Sequence, residues 1–84
     1  MALKLGKVVE QGCYKGDKRV GNAKYLHNCV SEGGDNVQWK FEVVDGKGVL
    51  QGHVIASLGS SFQGNETQQK AQIIKIANEQ IPKQ

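Results

Sequence analysis

From Val37 to Val43 the chain alternates without a break, with Val37, Trp39, Phe41 and Val43 on one side and Gln38, Lys40 and Glu42 on the other. A period of two is the mark of a half-buried β-strand, and this one decides what the rest of the chain must pack against. Asp45-Gly46-Lys47-Gly48 then interrupts the pattern with residues that tolerate left-handed backbone angles, as a tight reversal requires. A second strand follows, to about Leu58. With Val44 and Val49 flanking a four-residue loop, antiparallel pairing sets Val43 opposite Leu50, Phe41 opposite Gly52, Trp39 opposite Val54 and Val37 opposite Ala56. All these partners share one face. A slip by one residue would turn Gln51, His53 and Ser57 toward the core, so the register is expected to be fixed by the apolar pattern as well as by the turn.

Eighty-four residues make a single domain with room for one core and little stability to spare. Hydrophobic residues are 38% of the chain, and its 11 glycines fall between apolar runs, which suits a turn-rich β protein better than a disordered one. No apolar run approaches the ~18 residues of a membrane span, so no membrane partner is expected. The opening MALKLGKVVEQG carries Lys4, Lys7 and Glu10 within its apolar pattern and is unlike a signal-peptide core. The expected location is cytoplasmic as the sequence stands, with a mature secreted form as the alternative.

Leu3, Leu5 and Val9 alternate with Lys4, Gly6 and Val8, which predicts a first strand over about 3–14. Tyr14 to Arg19 reads as a polar turn region, and Gly21 to Val30, with Ala23, Tyr25, Leu26 and Val30, as a second strand over about 21–30. The central strands take about 36–44 and 49–58. After the linker Gly59 to Gly64 the period changes. Asn65 followed by Gln68 has the form of a helix N-cap with its reciprocal partner, and Glu66 sits where the helix dipole favours an anion. Ile73, Ile74, Ala77 and Ile81 share one helical stripe, and Pro82 closes the helix near Gln80. The expected architecture is α+β: a four-stranded antiparallel β-meander followed by one C-terminal α-helix, over about 66–80, packed on one face of the sheet.

Cys13 and Cys29 are the only cysteines and lie symmetrically about Gly21, so a hairpin centred there would set them opposite each other. A cross-strand disulfide and a pair of buried reduced thiols are equally compatible with that spacing. A structural zinc site needs four ligands, and His27 and His53 are the only histidines, so no metal or other cofactor is expected. Catalysis has little support, and His27 and His53 read as strand residues at polar positions rather than as general bases. Ser60-Ser61 lacks a nucleophile-elbow pattern, Glu42 and Asp45 belong to a strand and its turn, and Gly46-x-Gly48 lacks the further glycines and helix of a phosphate loop.

Charge is distributed unevenly. Residues 1–24 carry a net charge of +4 and residues 25–84 a net charge of −1. The basic end holds Lys15, Lys18, Arg19 and Lys24, with Tyr14 and Tyr25 interleaved. Lysines beside aromatic faces are what single-stranded nucleic acid needs, and a solvated basic face is the plainer account of the same residues. With a net charge of +3 and one arginine in the chain, bidentate contacts to phosphate or guanine are scarce.

Phe41-Glu42-Val43-Val44-Asp45-Gly46, a following strand, and Gln68-Gln69-Lys70-Ala71 at the start of a C-terminal helix resemble the second half of a double-stranded-RNA-binding domain. The resemblance covers about half the chain. Residues 1–30 show no counterpart of that family's first helix, and Gln69-Lys70 stands where paired lysines would hold phosphates. The order of sheet and then helix is also that of single-stranded-DNA-binding transcription cofactors, an analogy of order alone.

The expectation that emerges is a non-catalytic module that binds another protein, of inhibitor, effector or adaptor type. Phe62, set among small polar residues, is either a plug beneath the helix or an anchor for a partner. An uncovered sheet edge would accept a strand from another chain, including a second copy in a homodimer. Single-stranded DNA or RNA bound by the basic hairpin is the alternative. Asn65-Glu66-Thr67 also matches an N-glycosylation acceptor, although capping accounts for Asn65.

Overall fold

A computed structural model describes residues 3–81. The order of elements is β1 (Lys4–Lys15), β2 (Lys18–Gly21), α1 (Leu26–Ser31), β3 (Asn36–Val44), β4 (Leu50–Gly59) and α2 (Glu66–Glu79). The strands form one antiparallel sheet in the order β2-β1-β3-β4, with α2 against one face, so the α+β class and the C-terminal helix are as expected. Pro82 lies outside the described residues.

One element departs from expectation. The predicted strand over 21–30 is replaced by the four-residue β2 and the six-residue α1, and β2 lies on the outer side of β1 rather than between β1 and β3. The chain reverses at Gly16-Asp17, between the paired Lys15 and Lys18 and within the polar turn region expected from Tyr14 to Arg19, whereas the hairpin centred on Gly21 that would make Cys13 and Cys29 cross-strand partners does not form. Gly16, at φ +61° in the first of the two turn positions, meets the demand of a two-residue hairpin. Beyond Gly21 the buried residues are Ala23, Leu26 and Cys29, spaced by three, which is a helical and not a strand period. Residues 4–21 form β1, a two-residue turn and β2, so no helix stands where a double-stranded-RNA-binding domain would open.

Helix α1 is too short to hold itself, and its N-cap, Tyr25, offers no side-chain hydrogen bond. Three long-range ties compensate. Leu26 is buried, its backbone N–H donates to the Gln69 Oε1 of α2 at 2.9 Å, and a disulfide joins Cys29 to Cys13 of β1. Both sulfurs press on the backbone of Gly34, where a Cβ would collide with them. Gln69 completes its role by donating from Nε2 to the Gly64 carbonyl at 3.1 Å, which satisfies a side chain that is only 5% exposed.

The core lies between the sheet and the two helices. Val37, Trp39, Phe41 and Val43 of β3 and Val54, Ala56 and Leu58 of β4 face Ile73 and Ala77 of α2, with Ile76 and Ile81 partly buried beside them. Ile74, expected on the buried stripe, is 37% exposed at its margin. The helix begins as the sequence implies: Asn65 accepts from the Gln68 backbone at 2.9 Å while Gln68 Oε1 accepts from the Asn65 backbone at 3.0 Å.

The β3–β4 register keeps the expected face but is displaced by two residues. Val37 pairs with Leu58, Trp39 with Ala56, Phe41 with Val54 and Val43 with Gly52. Val44 pairs with Leu50, so Gln51 is an extra residue on β4, and Gly52 takes φ +154° beside it. A shift of two leaves every side chain on its original face, which is why the apolar pattern alone cannot detect it.

Asp45 organises the connecting loop. Its Oδ1 accepts from the Lys47 and Val49 backbones at 2.7 and 3.0 Å, and these bonds hold its carboxyl below the ordinary value of 3.8. A pKa lowered by folding contributes stability that is present above the unfolded value and lost as pH falls through the folded one. The Lys47 and Val49 amide resonances should therefore titrate together with a midpoint below 3.8. In Asp45→Asn that transition should vanish.

Candidate functional site

Alternation leaves the second face of the sheet without a helix. Across it run Arg19 from β2, Tyr14 and Glu10 from β1, Gln38, Lys40 and Glu42 from β3, and His53, Ile55 and Ser57 from β4. Glu10, Tyr14, Gln38, Lys40 and Ile55 line a shallow depression of about 90 Å³. On this face as a whole the cations Arg19 and Lys40 are balanced in number by the anions Glu10 and Glu42.

Several residues singled out in the sequence are committed elsewhere. The Arg19 guanidinium lies 3.5 Å from Glu10, and it donates to Asn22 Oδ1 at 2.6 Å, to the Gln11 carbonyl at 3.1 Å and to the Gly21 carbonyl at 3.3 Å. The Tyr14 hydroxyl donates to Glu10 at 3.3 Å. Tyr25 precedes α1 and stacks on His27, with centroids 6.5 Å apart, so it does not share the hairpin with Tyr14. Lys15 and Lys18 remain exposed as a facing pair at the hairpin tip, and Lys24 is exposed in the loop before α1. Phe62 packs partly buried against the core and lines a groove of about 400 Å³ between α1 and the start of α2. Leu26, Val30 and Gln69 share that groove, with His27 and Glu66 3.7 Å apart beside it. Among the described residues no three histidine, cysteine or acidic side chains cluster as metal ligands would, and no helix is long and apolar enough to cross a membrane.

The two edges of the sheet differ in kind. Strand β2 covers β1 only at Cys13–Lys15, so the outer side of β1 from Lys4 to Gly12 carries no strand among the described residues. That edge is guarded by Lys4, Lys7, Glu10 and two irregularities, between Leu5 and Val8 and between Val8 and Glu10. The edge at β4 runs ten residues, LQGHVIASLG, with no lysine, arginine, carboxylate or proline.

The hydrogen-bonding phase of β4 follows from its neighbours. Ser60 donates to the Asp35 carbonyl at 2.7 Å, which makes that pair a bonded rung and puts Leu58, Ala56 and Val54 on the inward-bonding positions. The backbone groups of His53, Ile55 and Ser57 consequently point outward. The carbonyl of Ile55 is met by Gln80 Nε2 at 2.6 Å, a side chain reaching down from beyond the end of α2. Sequence reasoning anticipated an open edge without locating it, although the absence of charge from Leu50 to Gly59 was legible. Searches of family models, of curated proteins and of solved structures found no match to this chain.

Proposed function

We infer that the protein is a non-catalytic binding module that takes up an extended polypeptide segment along the outer edge of β4. The carrying observation is that ten-residue edge, which lacks the charges and prolines by which sheet edges are ordinarily kept from pairing. An added strand would gain main-chain hydrogen bonds at His53, Ile55 and Ser57, and the exposed Ile55 would supply side-chain contact. Selection of strand-length peptides displayed as a library tests the reading. Selected peptides are expected to alternate apolar and polar residues, to shift the amide resonances of His53, Ile55 and Ser57, and to lose affinity for Ile55→Lys. Binders that leave β4 unperturbed would overturn it.

A second reading, single-stranded nucleic acid, has one observation in its favour. Lys15 and Lys18 stand directly opposite each other, an arrangement of like charges that is unfavourable until an anion joins it. Anisotropy titrations with labelled oligonucleotides at low and physiological salt separate the two. Saturable, salt-weakened binding abolished by neutralising Lys15, Lys18, Arg19 and Lys24 would favour nucleic acid, and no binding at low salt would remove it.

A further inference from the structure

We propose that the strand accepted by β4 is β4 of a second copy, giving a symmetric dimer with one continuous eight-stranded sheet. The inference rests on the edge-binding reading above and names its partner. A twofold axis through Ile55 is compatible with the hydrogen-bonding phase, because Ile55 is an outward-bonding residue and an antiparallel rung between two such residues exchanges both of its hydrogen bonds. That axis sets Ile55 against Ile55, His53 against Ser57 and Val54 against Ala56. None of these rungs opposes like carboxylates or ammonium groups, and His53 meets a hydroxyl. An isologous contact demands such self-complementarity of one patch.

The open face adds to the match. Ile55 is 53% exposed there, and at the axis its side chain would cover its own copy. The edge of β1 offers no comparable partner to itself, since Lys4, Lys7 and its irregularities interrupt pairing. Gln80 occupies the place of the incoming strand by satisfying the Ile55 carbonyl, so it competes with the second copy. Removing that side chain should promote association.

Sedimentation equilibrium of the full chain, from micromolar to millimolar concentration, tests the proposal with three proteins. The unaltered chain should show a reversible monomer–dimer equilibrium. Ile55→Lys, which places two ammonium groups together at the axis on an exposed position, should weaken it by about tenfold or more, and Gln80→Ala should strengthen it. Monomers in all three proteins would overturn the proposal, as would a dimer indifferent to Ile55→Lys. Should peptides still bind β4 while every protein stays monomeric, the edge-binding reading survives and the second copy is excluded. Should dimers form while no peptide shifts β4, the edge serves self-association alone.

Discussion

Replacing Cys13 and Cys29 together by alanine should lower the unfolding free energy by about 3 kcal/mol, because the bridge closes a loop of 16 residues that is otherwise free in the unfolded chain. Domains of this kind have only about 5–15 kcal/mol in total, so the loss is a large fraction. The effect is also expected to be uneven. Helix α1 has six residues and no side-chain N-cap, and without Cys29 it keeps only the burial of Leu26 and the bond from Gln69. Amide exchange should therefore accelerate most over 26–31, while β3 and β4 lose only the protection that follows from the lower global stability. Chemical denaturation with and without reductant, followed by exchange mass spectrometry, checks both parts. Unchanged stability on reduction would mean that α1 is held by packing alone.

Trp39 carries the second large effect. It is 7% exposed, its ring stacks on Phe41 with centroids 6.2 Å apart, and it lies opposite Ala56 near the middle of the sheet. Trp39→Ala should cost about 3–5 kcal/mol through lost burial and the cavity left behind. Trp39→Phe should cost far less, within about 1 kcal/mol. The indole N–H is buried with no acceptor among the described residues, so deleting it relieves a desolvation penalty that partly offsets the smaller ring. Thermal and urea unfolding by circular dichroism compare the pair. If Trp39→Phe proved as costly as Trp39→Ala, shape and not the unsatisfied N–H would dominate at this position.

Where period and local chemistry agreed, the fold was readable. The unbroken alternation of Val37 to Val43 and the Asn65–Gln68 capping pair both describe short-range relations, and both are present as expected. Between Gly21 and Val30 the same reasoning failed because two periods competed. Tyr25 and Val30 suit a strand, but Ala23, Leu26 and Cys29 recur every three residues, and a buried disulfide and a buried Gln69 bond settle the segment as helix. Those ties join residues 16 and 43 positions apart, and neither is written in the local pattern. The β3–β4 register failed for a different reason: a shift of two residues is silent in a period of two, and it is made up of a loop one residue longer than expected, Asp45 to Val49, and the extra residue Gln51.

The candidate interaction surface was partly legible. The basic N-terminal end is visible in the charge count, yet folding separates Tyr25 from Tyr14 and engages Arg19 and Tyr14 with Glu10. Phe62 packs partly buried against the core and at the same time lines the groove between α1 and α2. The contrast between a guarded β1 edge and an unguarded β4 edge needs the strand order, since only that order says which strands are outermost.

Amide hydrogen exchange at His53, Ile55 and Ser57, followed residue by residue as protein concentration rises, is the most direct test of how β4 works. Edge pairing with a second copy predicts slow exchange that deepens with concentration at these outward-facing amides and is absent from Ile55→Lys. Exchange that stays fast and independent of concentration, with the inward-bonded Val54 and Ala56 protected throughout, would contradict it.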